Sequence, residues 1–129
     1  MRRSIVVVRG IVGFLWLVQL VLGILFWTGH ALSLAQLHMG IGLLFVFLLW
    51  VLAILCARSG APRAFVALTL VWGAIIPVLG YTQYQLLPGP YHWVIRLAHL
   101  IVGLIAMPLV GRLSLMTRAQ GAACKRAEQ

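Results

Sequence analysis

The sequence predicts an all-α integral membrane protein: a four-helix bundle running up-down-up-down, with both the N-terminal and C-terminal ends on the cytoplasmic side. Three observations predict it. Of 129 residues, 64% are hydrophobic and 9% charged, with a mean hydropathy of +1.10, whereas a soluble domain carries roughly 25% charged residues. The apolar residues fall into four runs of about 20, the length a helix needs to cross the hydrocarbon core. Nine of the ten cations sit at one set of run ends.

The first run, 5–27, follows Met1-Arg2-Arg3-Ser4. It imitates a secretory leader but is too long for one and has no small-residue cleavage site, so it reads as a retained helix. The second, 34–56, opens with Ser33-x-x-Gln36, which has the form of a capping box. Pro62 takes the first-turn position that proline tolerates before the third run, 64–81. Pro88-Gly89-Pro90 precedes the fourth, 91–113, which a cytoplasmic tail, 114–129, follows. The connections 28–33, 57–63 and 82–90 are short, so consecutive helices should be antiparallel neighbours in one domain, 1–129. Pro77 and Pro108 fall inside the third and fourth runs and should bend them. The glycines in the runs suggest close helix packing in lipid.

Orientation follows from the cations. Arg2, Arg3, Arg9, Arg58, Arg63, Arg112, Arg118, Lys125 and Arg126 gather on one side, and Arg96 alone on the other. Basic residues concentrate on the cytoplasmic side. The expected setting is the inner (plasma) membrane of a bacterium. The formal charge of +9 does not indicate a nucleic-acid partner, because the cations form short clusters between apolar runs and no basic face with interleaved aromatics. The partner they imply is the lipid bilayer.

The sole acid is Glu128, in the tail. Carboxylate proton relays, carboxylate-bridged metals and paired-carboxylate acid–base chemistry are therefore excluded from the membrane region. Cys56 and Cys124 form no CxxC or CxxCH motif. Both fall on the cytoplasmic side, where disulfides are rare. Any haem would be held non-covalently.

What remains inside the bilayer is chiefly histidine, and an ionisable group there is a functional-site hypothesis. His38 lies about 6 Å into helix two and His99 about 12 Å into helix four, counting 1.5 Å per residue. Both helices descend from the outer face. Gly42 and Gly103 follow these histidines at i+4, giving each imidazole a side-chain-free patch one turn deeper, as a flat porphyrin requires. Arg96 shares the His99 face one turn outward, where a guanidinium would meet a haem propionate. His30 and His92 lie at the outer mouth, as further cofactor-lining residues or as interfacial histidines bonded to a carbonyl or water. A zinc or copper site of four histidines is a competing reading without a carboxylate or thiolate on that side to complete it. The aromatic segment 81–93 reads as an interfacial belt, or as a lid over a haem edge or quinone headgroup.

These features resemble one four-helix half of the haem A synthase family, whose second and fourth helices present histidines to a haem near the outer side. His38 and His99 occupy matching places, and Leu79-Gly80-Tyr81-Thr82 with Ala98-His99-Leu100 look like the family's passage from third to fourth helix. The family's glutamate four residues before the helix-two histidine is Leu34 here, and the arginine that often follows that histidine is Met39. The resemblance therefore implies haem binding rather than the family's methyl oxidation, and is shared with small four-helix b-type cytochromes. A homodimer would be needed for a second haem site.

Together these readings describe a b-type cytochrome rather than an enzyme. One haem b would sit between His38 and His99, with Arg96 as propionate partner, passing electrons to or from quinol or another redox membrane subunit. The alternatives are a haem-handling or respiratory-complex assembly factor, and a cofactor-free structural subunit. The orientation is open to direct test. An alkaline phosphatase reporter should be active when fused within 82–90 and inactive within 57–63 or after residue 126; the reverse pattern would invert the bundle.

Overall fold

In the computed structural model, which describes residues 2–127, four helices account for nearly all of the chain. They are α1 (Arg2–Trp27), α2 (Ala35–Arg58), α3 (Arg63–Thr82) and α4 (His92–Ala127). Each is long and apolar enough to cross a membrane. Glu128, and the side chains of Arg2, Arg118, Cys124, Lys125 and Arg126, lie outside the described part.

The helices form because these runs are apolar on every face and a helix satisfies its own backbone groups, as lipid demands. Phe14, Phe47, Val71 and Ile101 point outward without cover, the orientation a lipid-facing surface requires. Two of the helices stop at glycines. Gly29 and Gly60 adopt φ of 79° and 93°. The following amides of His30 and Ala61 turn back to the carbonyls of Leu25 and Cys56 at 2.8 and 2.9 Å. This doubly bonded left-handed cap consumes carbonyls that would otherwise be orphaned at a helix end.

Two expectations need correction. Ser33 and Gln36 form no capping box: α2 is capped by Leu34 with no side-chain bond, because Ser33 is taken up in a 3-10 turn, Leu32–Leu34. Helix four does not stop near residue 113. It runs on to Ala127, since the polar segment that reads as a tail is rich in Ala, Arg, Lys and Gln, all good helix formers. At 36 residues it spans about 54 Å, well beyond a hydrocarbon core of about 30 Å.

Neighbours in sequence are neighbours in space. α1 packs on α2, α2 on α3, α3 on α4, and α4 closes the ring on α1. Across the middle α2 touches α4, whereas among the described residues α1 and α3 do not meet. The two histidine-bearing helices thus form the short diagonal of the bundle.

The core is confined to one half. Phe45, Val46, Leu49, Leu52, Ala53 and Cys56 of α2 are buried with Thr69, Gly73 and Ile76 of α3. Ala106, Val110, Leu113, Ser114 and Thr117 of α4 join them, with Ile5 and Val12 of α1. The hydroxyls of Thr69, Ser114 and Thr117 each donate to the carbonyl four residues back, at 2.8, 2.8 and 2.9 Å. Beyond this layer, toward the loops at 28–34 and 83–91, Leu22 alone among the described residues is buried. One half of the bundle is packed shut and the other is not.

Each seam between sequence neighbours, and the closing seam, carries one side-chain N–H bonded to a backbone carbonyl across it. Gln19 Nε2 donates to His38 O (3.0 Å), joining α1 to α2. Trp50 Nε1 donates to Leu70 O (3.1 Å), joining α2 to α3. Trp72 Nε1 donates to Val102 O (2.9 Å), joining α3 to α4, and Trp16 Nε1 to Gly103 O (2.8 Å), joining α1 to α4. Interhelical hydrogen bonds in a membrane average about 0.6 kcal/mol each. That is small singly, but here the bonds set helix rotation as well as distance.

Glycine permits one of these contacts directly. A Cβ at Gly73 would lie 2.5 Å from Trp50 Nε1 and 3.4 Å from a Leu49 methyl, and an indole is too rigid to yield locally. Gly73→Ala should lower stability by about 1–3 kcal/mol. Gly23→Ala, with nothing within 4 Å, should be neutral or stabilise by up to about 1 kcal/mol. Unfolding titrations in mixed micelles would measure both.

Candidate functional site at the histidine end

His38 belongs to the first turn of α2, three residues after Ala35. Its ring meets Phe26 of α1 edge-on, with centroids 5.2 Å apart and planes at 72°. His99 lies seven residues into α4 and packs on α3, where a Cβ at Gly80 would come within 3.2 Å of its Cε1. Gly80 is therefore what lets the imidazole approach the α3 backbone. The helices that carry the two rings touch across the bundle. The fold thus places the two histidines that the sequence singles out at the same, less buried end of the short diagonal.

Three buried side-chain atoms of the described residues have no hydrogen-bond partner: His38 Nδ1, His99 Nδ1 and Gln19 Oε1. Leaving a buried polar atom unsatisfied costs about 1–3 kcal/mol. The hydroxyls of Thr69, Ser114 and Thr117 and the indoles of Trp16, Trp50 and Trp72 each find a carbonyl. The three orphans come from α1, α2 and α4, at the end that lacks a core.

The glycines at i+4 behave differently from one another. Gly103 is open, with nothing within 4 Å of an added Cβ, although its carbonyl is held by Trp16. Gly42 offers no free patch: a Cβ there would lie 2.6 Å from Gln19 Nε2, so the space that looks vacant in the sequence is occupied by the amide from α1. Arg96 is exposed, one turn outward from His99.

His30 and His92 do not join the pair. His30 Nδ1 is 3.1 Å from Thr28 Oγ1, and His92 Nδ1 is 3.4 Å from Leu86 O, with its ring stacked on Tyr84 at 6.1 Å. Among the described residues no three histidines, cysteines or acids gather as a metal cage. The four-histidine zinc or copper site is thus not formed. Tyr81, Tyr84 and Tyr91 are strongly exposed, as an interfacial belt would be. A surface hollow of about 250 Å³ on α1 is lined by Leu17, Val18, Val21 and Leu22. It is wholly apolar and presents no group for chemistry.

Gln19 is the site residue that reasoning from the histidines overlooks. Its signal in the sequence is a lone amide deep within an otherwise apolar run, which in lipid must find a partner. No family model, no curated protein and no solved structure matches the chain.

Because His30 is exposed, His92 is only half-buried and both are bonded locally, His30→Ala and His92→Ala should each change stability by less than about 0.5 kcal/mol. Unfolding midpoints that fall further would reveal contacts across the bundle that these rings do not make.

Proposed function

We propose that the chain is a membrane b-type cytochrome holding one haem b non-covalently between His38 and His99. The observation that carries this reading is the placement of two half-buried imidazoles, His38 and His99, on the helices that touch across the bundle, at the end without a core. The residues present fit the group. Each imidazole would supply one ring nitrogen to iron, Gly103 keeps the wall one turn deeper than His99 open, and exposed Arg96 is placed to meet a propionate. Gly42 does not serve as part of the cradle, since Gln19 fills it.

When bound, haem would supply one-electron chemistry, and holding it by two histidines would favour electron transfer over oxygen activation. The chain's own contribution is to place the two imidazoles, to surround them with apolar helix, and to offer no carboxylate that would carry protons. Quinol or a partner redox subunit would exchange electrons at the histidine end, beneath the belt of Tyr81, Tyr84, Tyr91 and Trp93. The cluster of cations at the opposite end supports placing that end, with both termini, in the cytoplasm. This is also the limit of the likeness to a haem A synthase half: shared histidine placement, with Leu34 and Met39 where that family has its reactive neighbours.

A second reading draws on the same open half. A site without a packed roof suits a chain that receives haem and hands it on. Reversible reduction of stoichiometric haem favours the cytochrome, and loosely held, substoichiometric haem the carrier.

The test is a set of reduced-minus-oxidised spectra from detergent-purified protein. Wild type should show Soret and α bands, and His38→Ala and His99→Ala should each abolish or shift them. A colourless wild type, or bands unchanged in both variants, would sink the assignment.

A further inference from the structure

We propose that Gln19 is the positioning residue of His38. Seated in the notch left by Gly42, its amide oxygen accepts the Nδ1–H of that imidazole and leaves Nε2 as the nitrogen that holds a ligand. The inference rests on the bis-histidine reading only for its redox consequence.

Four observations converge on it. The amide is anchored at His38 itself, through Nε2 to the residue's own carbonyl at 3.0 Å. The notch is specific: any side chain at Gly42 would collide with Gln19 Nε2, at 2.6 Å from an added Cβ. The oxygen of the same amide is buried without a donor, and His38 Nδ1 is buried without an acceptor. Their chemistry is complementary, since an amide oxygen only accepts and a neutral imidazole has one N–H to give.

No carboxylate competes for the role. Among the described residues there is no Asp or Glu, and the nearest aromatic, Phe26, meets the ring edge-on with no polar atom. The acceptor oxygen and the donor nitrogen of glutamine sit on one planar amide, so a nitrogen held at the His38 carbonyl keeps the oxygen beside the same residue. Histidines that bind metals almost always donate their second ring N–H to an oxygen, which fixes the tautomer and raises ligand basicity. In most proteins that oxygen is a carboxylate or carbonyl. Here, in a membrane region stripped of acids, an amide from the neighbouring helix takes its place.

Two readouts test this on the full chain, specifically labelled with ¹⁵N-histidine in micelles. Without haem, the His38 nitrogens should report a proton on Nδ1 in wild type. Gln19→Met, which keeps length and removes the amide, should shift the proton to Nε2 and leave the His99 signals unchanged. Gly42→Ala, whose methyl displaces the amide without touching either histidine, should reproduce that shift. Gln19→Glu, which restores an acceptor, should keep the wild-type pattern. With haem bound, Gln19→Met and Gly42→Ala should raise the midpoint potential, by about 59 mV for each tenfold loss of preference for ferric iron.

An unchanged His38 tautomer in both Gln19→Met and Gly42→Ala overturns the inference, as does an unchanged potential in both. If the protein takes up no haem, the cytochrome reading fails, while the nitrogen spectra of the haem-free chain still decide the role of Gln19.

Discussion

The backbone carbonyl is the acceptor on which this bundle depends. With a single acid in the chain, placed near its end, the indoles and the amide within the spans have no carboxylate to reach. Between helices there is also no hydrophobic drive in lipid, because acyl chains are as apolar as leucine. The donors therefore turn to the spare lone pairs of neighbouring helix backbones, and each of the four seams acquires one such bond. These bonds specify rotation as well as proximity, since each donor must face one particular carbonyl.

Glycine acquires its meaning from the same constraint. Where small residues in a membrane usually let two backbones approach, three glycines here make room for a side chain from the next helix. Gly42 receives Gln19, Gly73 receives Trp50, and Gly80 receives His99. Two of these guests are seam-forming donors and the third is a site histidine. Gly10, Gly23 and Gly40, by contrast, have nothing within 4 Å of an added Cβ.

The bundle divides into a packed and an unpacked half. Leu49, Leu52, Leu113 and their neighbours close one end, so the other is free to carry polar groups at a cost the fold can sustain. That is where the unsatisfied nitrogens of His38 and His99 lie. The short diagonal between α2 and α4 unites the two halves: the helices that interlock in the core are the ones that present the histidines beyond it.

The four helices were legible in the sequence because hydropathy summed along a run is a property of the chain alone, whatever its neighbours. Starts and stops agree with the apolar runs to within three residues, except at the end of α4, where helix propensity carries the structure past the last apolar residue. The placement of His38 and His99 at one end was legible for the same reason, because short loops and alternating direction leave no other arrangement. What the sequence could not reveal was the filling of Gly42, the meeting of Gly80 with His99, or the presence of Gln19 beside the pair. Those depend on how far each helix is rotated and slid against the next, and only the packed bundle, with every buried donor seeking a carbonyl, decides that.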